Sequence, residues 1–543
     1  MSGDSAVTKV LDALAERGFR YIGRSDTGWA KAQGVLRLPG AAASHQCIIE
    51  LDPVFFAPPR IRLTDLPSGL PAVLPHVSSG GWLCYLNGRQ VSLDQFDPVG
   101  QTLACILRAE QVLESVLSGE MVDDLEEEFH AYWGESICFA DLKSEETGKV
   151  EAITMKLNDR TYWCATDDVP RTNAKLEPCG MRVQEQVVPV YRVKTSAAPR
   201  PMREAWPPRT VGQLLSWQSH LDGACRRKIS QRLNEGMLSK KPGSVVLVES
   251  PSLTYAFAVL FSRTTEGSPA RRVAKSQRAL LQSKVIPLTV FRLDERYVAE
   301  RNIPGKRTLR DLRICLVGCG TIGGYLAELL VKAGAGSGRG ELTLVDCEIL
   351  LPQNLGRHQL GFSSLLHPKA EALSDSLQRL MPDAHVRAVP VDVREAQISS
   401  TDLIVDATGE DTVGHWLTNA QPRGTPILSI WIEGPGTAVR GIMRDTESAA
   451  CSRCLWEYNR TGQYPAVSED LPISWAGQGC EDLYVPFPAS VSLQAAGLGA
   501  DMALDWVNGR TSPRLRTRIV EPSYSSATED ADLGVHPHCP ACT

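Results

Sequence analysis

The sequence predicts an α/β chain: a parallel, doubly wound nucleotide-binding sheet in the C-terminal part, preceded by an α+β domain. Three observations carry this. The apolar run Ile314-Cys315-Leu316-Val317 breaks into Gly318-Cys319-Gly320-Thr321-Ile322-Gly323 and then into a helical pattern, the form of a phosphate-cradling strand-turn-helix. A second run, Leu342-Thr343-Leu344-Val345, ends on Asp346, placed to take a ribose hydroxyl. Residues 1–140 read as a helix, several strands and a second helix.

Taken in order, Met1 to Phe19 is an amphipathic helix with Val7, Val10, Leu11 and Leu14 on one side. Strands are expected near Trp29–Leu38 and Gln46–Leu51 and over Phe55–Leu63, then a long loop, then a helix over Thr102–Leu117, making one meander sheet with flanking helices. From Lys143 to about Pro208 the composition shifts toward Thr, Asp, Pro and Arg, with Ala197-Ala198-Pro199-Arg200-Pro201 as a linker. Gly212–Asn234 has helical periodicity through Leu214, Leu215, Ile229 and Leu233, and Val245–Val248 and Tyr255–Phe261 read as strands. This middle unit has no glycine fingerprint of its own. The expected division is 1–140, a linker and scaffold α/β unit over 141–300, and a nucleotide domain over 301–543.

Composition excludes several classes. With 543 residues, 43% hydrophobic, 22% charged and a net charge of −6, this is ordinary globular material, and no basic tract points to nucleic acid. The first helix is no secretory signal, and no apolar run approaches the roughly 20 residues of a membrane span. The 15 cysteines are scattered rather than arranged as a disulfide framework, which fits a reducing, cytoplasmic setting.

Asn354, Arg357 and Lys369 follow Asp346. A hydride-transfer enzyme has no need of such a cluster, whereas a nucleotidyl-transfer enzyme must neutralise a triphosphate: Arg357 offers a bidentate fork and Lys369 a point charge. The run Val317 to Gly323, then Leu344-Val345-Asp346, Asn354-Leu355-Gly356-Arg357-His358 and Lys369, resembles the Rossmann-like adenylation domain of the ThiF type, found in ubiquitin-activating and sulfur-carrier-activating enzymes. The resemblance implies ATP-dependent adenylation of a protein's C-terminal carboxylate. It implies phosphate contacts for Arg357 and Lys369, the ribose for Asp346 and the nucleotide for Asn354. The family's Asp-x-x-Asp step for Mg2+ departs here to Asp406-Ala407-Thr408-Gly409-Glu410-Asp411, so the metal acid is Asp406 with Glu410 or Asp411 as substitutes.

Cys451-x-x-Cys454 and Cys539-x-x-Cys542 have the spacing of two knuckles that share one Zn2+; a redox pair or core cysteines are the competing readings. His536 and His538 are expected beside the ligands rather than among them. Cys480, in a loop just ahead of a helical segment, is placed where members of the resembled family carry the thioester-forming cysteine, with a buried structural thiol as the alternative.

Residues 1–140 weigh in favour of nucleophiles. Phe56-Ala57-Pro58-Pro59, then His76, then Gly81-Trp82-Leu83-Cys84-Tyr85-Leu86 is similar to the core of ubiquitin-conjugating enzymes. That likeness makes Cys84 the acceptor thiol and His76 a loop organiser. The usual His-Pro-Asn is His76-Val77-Ser78 here, so the oxyanion donor passes to a backbone N–H or Ser78. The order of domains resembles the fused activating and conjugating proteins of bacterial anti-phage (CBASS) operons that signal with cyclic oligonucleotides. It implies a homodimer and a relay from ATP through Cys480 and Cys84 to an acceptor protein's amine. The activated tail would belong to a cyclic-oligonucleotide synthase or a ubiquitin-like protein. A sulfur-carrier-protein adenylyltransferase of cofactor biosynthesis is the alternative.

Overall fold

The computed structural model describes residues 3–40, 44–65, 73–78, 80–86, 93–134, 136–143, 150–202, 206–239, 241–261, 277–398, 400–469, 471, 475–477 and 484–542. Two compact units emerge: residues 1–140 with 144–167 and 182–291, and residues 141–143 with 168–181 and 292–543.

The first unit begins with helix α1 (Gly3–Glu16), whose Val7, Val10 and Leu14 enter the core. An antiparallel meander follows in chain order: β1 (Arg20–Arg24), β2 (Ala30–Arg37), β3 (Ser44–Leu51), β4 (Arg60–Leu63) and β5 (Trp82–Leu83). Alternate residues of β2, Ala30, Ala32, Gly34 and Leu36, are buried, so one face packs inward as period-two patterning requires. The sequence signal missed β1 because most of its side chains are exposed and its register shifts between Tyr21 and Gly23. The strand expected from Phe55 starts only at Arg60. Asp52 explains this: its carboxylate accepts the N–H groups of Val54, Phe56 and Ala57 and folds that stretch into a turn. Helix α2 (Pro98–Ser118) starts on the Asp97 cap and stops at left-handed Gly119. Two short helices, α3 (Asp124–Glu127) and α4 (Phe129–Trp133), come next.

In the rest of this unit the polar stretch after residue 143 carries strands, while residues 197–201, expected as a linker, lie in neither helix nor strand. β6 (Ser136–Asp141), β7 (Glu151–Leu157), β8 (Arg160–Thr166), β9 (Arg182–Lys194), β10 (Gly243–Glu249), β11 (Thr254–Leu260) and β12 (Val285–Arg292) close into a barrel in the order β10-β11-β12-β6-β8-β7-β9. The polar composition belongs to strands whose pairing across the barrel satisfies their backbone, and closure leaves no edge. The single helix expected over Gly212–Asn234 is two, Val211–Leu221 and Gly223–Leu238; Asp222 breaks it by accepting the N–H groups of Ala224 and Cys225.

In the second unit β13 (Arg313–Val317), β14 (Glu341–Val345), β15 (Val386–Val389), β16 (Leu403–Asp406), β17 (Ile427–Glu433), β18 (Ala438–Arg444) and β19 (Leu515–Ile519) form one sheet, ordered β15-β14-β13-β16-β17-β18-β19. Pairing is parallel from β15 through β17 and antiparallel beyond. Leu326 and Leu330 of helix Thr321–Lys332 and Ala495 and Leu498 of helix Ala489–Val507 join Leu316 and Leu344 in its core. Strand order reverses between β13 and β16, which opens a crevice beyond their C-terminal ends.

A buried ion network also lies in this unit. Asp141, fully buried, accepts from Arg171, Thr172 and Lys175, and Asp383 faces Lys175, Arg171 and Lys143. Asp141→Ala should cost about 3–5 kcal/mol, because it strips buried cations of a partner. Chemical unfolding would show it; a loss below about 1 kcal/mol would mean that water takes over the role. No helix among the described residues is long and apolar enough to cross a membrane.

Candidate nucleotide and thiol sites

The crevice at the β13–β16 reversal is built by close approach. Gly318 sits at φ +87 and its N–H donates to the Val345 carbonyl; a Cβ there would come within 2.9 Å of the Thr408 nitrogen. A Cβ on Gly323 would lie 1.8 Å from the Gly318 oxygen. Gly320 has open space where its Cβ would be, at the mouth of helix Thr321–Lys332, the kind of N-terminus that receives an anion.

Asp346 braces this turn: Oδ2 accepts the Cys319 N–H at 2.7 Å and Oδ1 the Glu348 N–H at 2.7 Å. Burial holds its carboxyl above the usual range. Lys369 is buried, with Nζ on the exposed Glu348 carboxylate. Asn354 turns inward on its own loop, Oδ1 accepting the Leu351 N–H at 2.9 Å.

Arg357 lies 4.7 Å from the ring centres of both Tyr484 and Phe487 and donates to the Val485 carbonyl at 3.2 Å; its Nε is buried with no hydrogen-bond partner among the described residues. Asp406, level with Val317 across the sheet, is buried and pushed up to about 6 by desolvation. Its Oδ1 accepts both the N–H and the hydroxyl of Thr408. Glu410 and Asp411 are exposed nearby on the chain.

The four cysteines of the two knuckles come together across 85 to 91 residues of chain, every Sγ within 4.8 Å of the others. Cys451 stands 3.7 Å from Cys454, 3.8 Å from Cys539 and 3.4 Å from Cys542. These separations are far beyond a disulfide bond of about 2 Å. They match the edge, about 3.8 Å, of a tetrahedron with Zn–S bonds near 2.3 Å. Hence the residues fit a closed Zn2+ site with no open position. The His536 N–H points to the Cys454 Sγ at 3.3 Å, and neither His536 nor His538 belongs to the set.

Cys84 is exposed, beside a groove of about 560 Å³ bordered by Pro58, Pro59, Ile61, Trp82 and Leu86. Its loop is held from below. Cys84 N–H donates to the carbonyl of His76, which sits in the left-handed region at φ +59. The His76 ring meets Asp124 at 2.9 Å and Glu128 at 2.8 Å, its N–H donates to Glu128, and the Tyr132 hydroxyl completes the carboxylate's shell. Ser78 Oγ accepts the Trp82 N–H at 3.0 Å.

Burial, and after it the Glu128 charge, push the Cys84 thiol above the usual range. A raised pKa leaves less thiolate at any given pH. Alkylation of Cys84 by iodoacetamide, followed by peptide mass spectrometry, should therefore keep accelerating above the roughly 8.5 where ordinary thiols level off. Glu128→Gln should shift that profile to lower pH; a profile unchanged by the substitution would remove Glu128 as a cause.

Cys480 lies outside the described residues, as does Gly479; the flanking Ala476 and Tyr484 pair through two backbone hydrogen bonds. Of the residues singled out from sequence, the structure gathers Gly318, Gly320, Gly323, Asp346, Lys369 and Asp406 around one crevice. Glu348, His358, Glu128, Tyr132 and the Tyr484–Phe487 grip were missed. Only His358, next to Arg357, and the acidic run 123–128 carried any signal in the sequence.

The ThiF family profile matches residues 295–541, and the profile of Prokaryotic E2 family B matches residues 35–139. An ATP-dependent ubiquitin transferase-like protein Cap2 of Pseudomonas aeruginosa is 50% identical over 100% of both chains. The protein of that name from Escherichia coli is 26% identical over 91% of this chain and 90% of its own. A molybdopterin-synthase adenylyltransferase of Salmonella typhimurium is 30% identical over 28% of this chain and 61% of its own.

Proposed function

The chain belongs to the Cap2 family of ATP-dependent ubiquitin transferase-like proteins, an ATP-using transferase with a ThiF adenylation domain and a conjugating domain, and on that premise we propose a relay of thioesters. The C-terminal carboxylate of a protein substrate attacks the α-phosphorus of ATP held at the Gly318–Gly323 turn, and pyrophosphate leaves. Lys369 exchanges the Glu348 carboxylate for phosphate oxygens, Arg357 adds charge, and Asp346 receives the ribose. Mg2+ would screen the triphosphate, and the exposed Glu410 suits it better than Asp406, whose Oδ1 already serves Thr408.

Cys480 thiolate then attacks the acyl carbon, a C–S bond forms and AMP departs. Cys84 takes the acyl group by thioester exchange. A lysine amine of the target attacks last, forming the amide and releasing the Cys84 thiol. With the Cys84 N–H engaged by His76, the Ser78 hydroxyl is the donor we assign to the oxyanion. The substrate is a cyclic-oligonucleotide synthase or ubiquitin-like protein, the setting cytoplasmic antiviral defence, the active form a homodimer. Domains are assigned as 1–140, 141–300 and 301–543.

What carries this reading is the exposed Cys84 on a loop braced by His76, Asp124 and Glu128, on one chain with the buried Lys369. The test supplies ATP and a glycine-tailed partner protein and separates products on non-reducing gels. A thiol-sensitive adduct that vanishes in Cys480→Ala is expected; none in the wild type would refute the relay.

A further inference from the structure

His358 is a buried side chain at the crevice to which the relay assigns no step. Backbone accounting shows where it matters. In the glycine turn the Gly318 N–H goes to Val345, the Cys319 N–H to Asp346, and the Gly320 carbonyl to the Gly324 N–H. The Cys319 carbonyl is met by His358 Nε2, at 2.8 Å. The other ring nitrogen, Nδ1, accepts the Leu360 N–H at 3.0 Å. The ring also lies against the first helical turn, since a Cβ on Gly324 would come within 3.3 Å of it.

These contacts leave one protonation state. Nε2 must carry a hydrogen to meet a carbonyl, and Nδ1 must be bare to accept an N–H. A proton added at Nδ1 would set two N–H groups head to head in a buried place. A carbonyl oxygen turned toward a triphosphate would repel it, so keeping the Cys319 oxygen turned away matters to anion binding at this turn.

We propose that His358, as neutral imidazole, is a positioning residue for nucleotide: it anchors the Cys319 carbonyl so that the N–H groups of the glycine turn stay presented to the phosphates. This rests on reading that turn as the ATP site. The charged groups facing the ring are Lys369, which disfavours the imidazolium, and, across Cys319, Asp346; Glu348 neutralises Lys369 from outside. Burial, with the Lys369 charge a smaller cause, holds the imidazole below its usual range.

The experiment is calorimetric titration of the full chain with Mg·ATP across pH, comparing wild type, His358→Gln and His358→Ala. Gln can donate to the carbonyl and accept from Leu360 without titrating. His358→Ala should weaken ATP about tenfold, the size of one lost buried hydrogen bond, and His358→Gln should stay within about threefold of wild type. Wild-type affinity should also fall as pH drops below the imidazole range, by more than in His358→Gln, which retains every other titrating group. Equal pH dependence in wild type and His358→Gln would overturn the proposal, even if His358→Ala does not fold. So would unweakened binding by folded His358→Ala. Absence of ATP binding by the wild type would instead bring down the nucleotide reading and this inference with it.

Discussion

Cys84→Ala should reduce conjugate formation by about 10³-fold or more while leaving ATP-dependent activation of the tail intact. The two halves of that result come from different places. Conjugation needs a thiol at the mouth of the Pro58–Leu86 groove, and alanine has none. On the proposed relay, activation rests on the turn at Gly318 and the buried Lys369, neither of which the substitution alters. Pyrophosphate exchange reads activation, and gel analysis of target adducts reads conjugation. Cys84→Ser is a sharper form of the test, because a serine oxygen in that place can trap the acyl group as a more stable ester. Conjugates persisting undiminished in Cys84→Ala would instead favour the sulfur-carrier reading, in which residues 1–140 only bind a partner. The relative that matches over the whole chain includes that segment.

Removal of Zn2+ should unfold the C-terminal part of the second unit. Cys451 opens helix Ser452–Arg460, and Cys539 and Cys542 stand at the far end of the chain; besides the thiol cluster, the segments are joined by short contacts such as the Ala450 N–H to the Leu533 carbonyl and the Tyr458 hydroxyl to the Gly534 carbonyl. Binding by four thiolates is worth about 10–16 kcal/mol in small zinc modules, comparable with the roughly 5–15 kcal/mol that holds a whole domain folded. Elemental analysis should find one zinc per chain, and Cys454→Ser or strong chelation should bring a large fall in the temperature of unfolding. A metal-free protein whose melting is indifferent to both would return these residues to the role of core cysteines.

Much of the nucleotide crevice was legible because its determinants are local. Gly323 is demanded by the Gly318 carbonyl close before it in the chain and Gly318 by its own left-handed φ, and Asp346 follows the end of the neighbouring strand, so spacing alone announces the motif. The cysteine knuckles announce themselves likewise, two residues apart in each pair. Asp52, Asp97 and Asp222 show the reverse: each redraws an element boundary through hydrogen bonds from a side chain to nearby N–H groups, which hydrophobic periodicity does not register.

The amino-acid sequence by itself determined the nucleotide turn and the thiols that the proposed relay uses, since both rest on residue types at short, fixed spacing. Tertiary structure alone decided what supports them. The barrel over residues 136–292 depends on pairing such as β9 with β10, brought together across a pair of helices, and the brace of His76 by Asp124 and Glu128 spans about fifty residues. Likewise Arg357 found Tyr484 and Phe487 more than a hundred positions away. Such contacts form only when distant segments share a surface, and their energy depends on distance in space rather than on order along the chain.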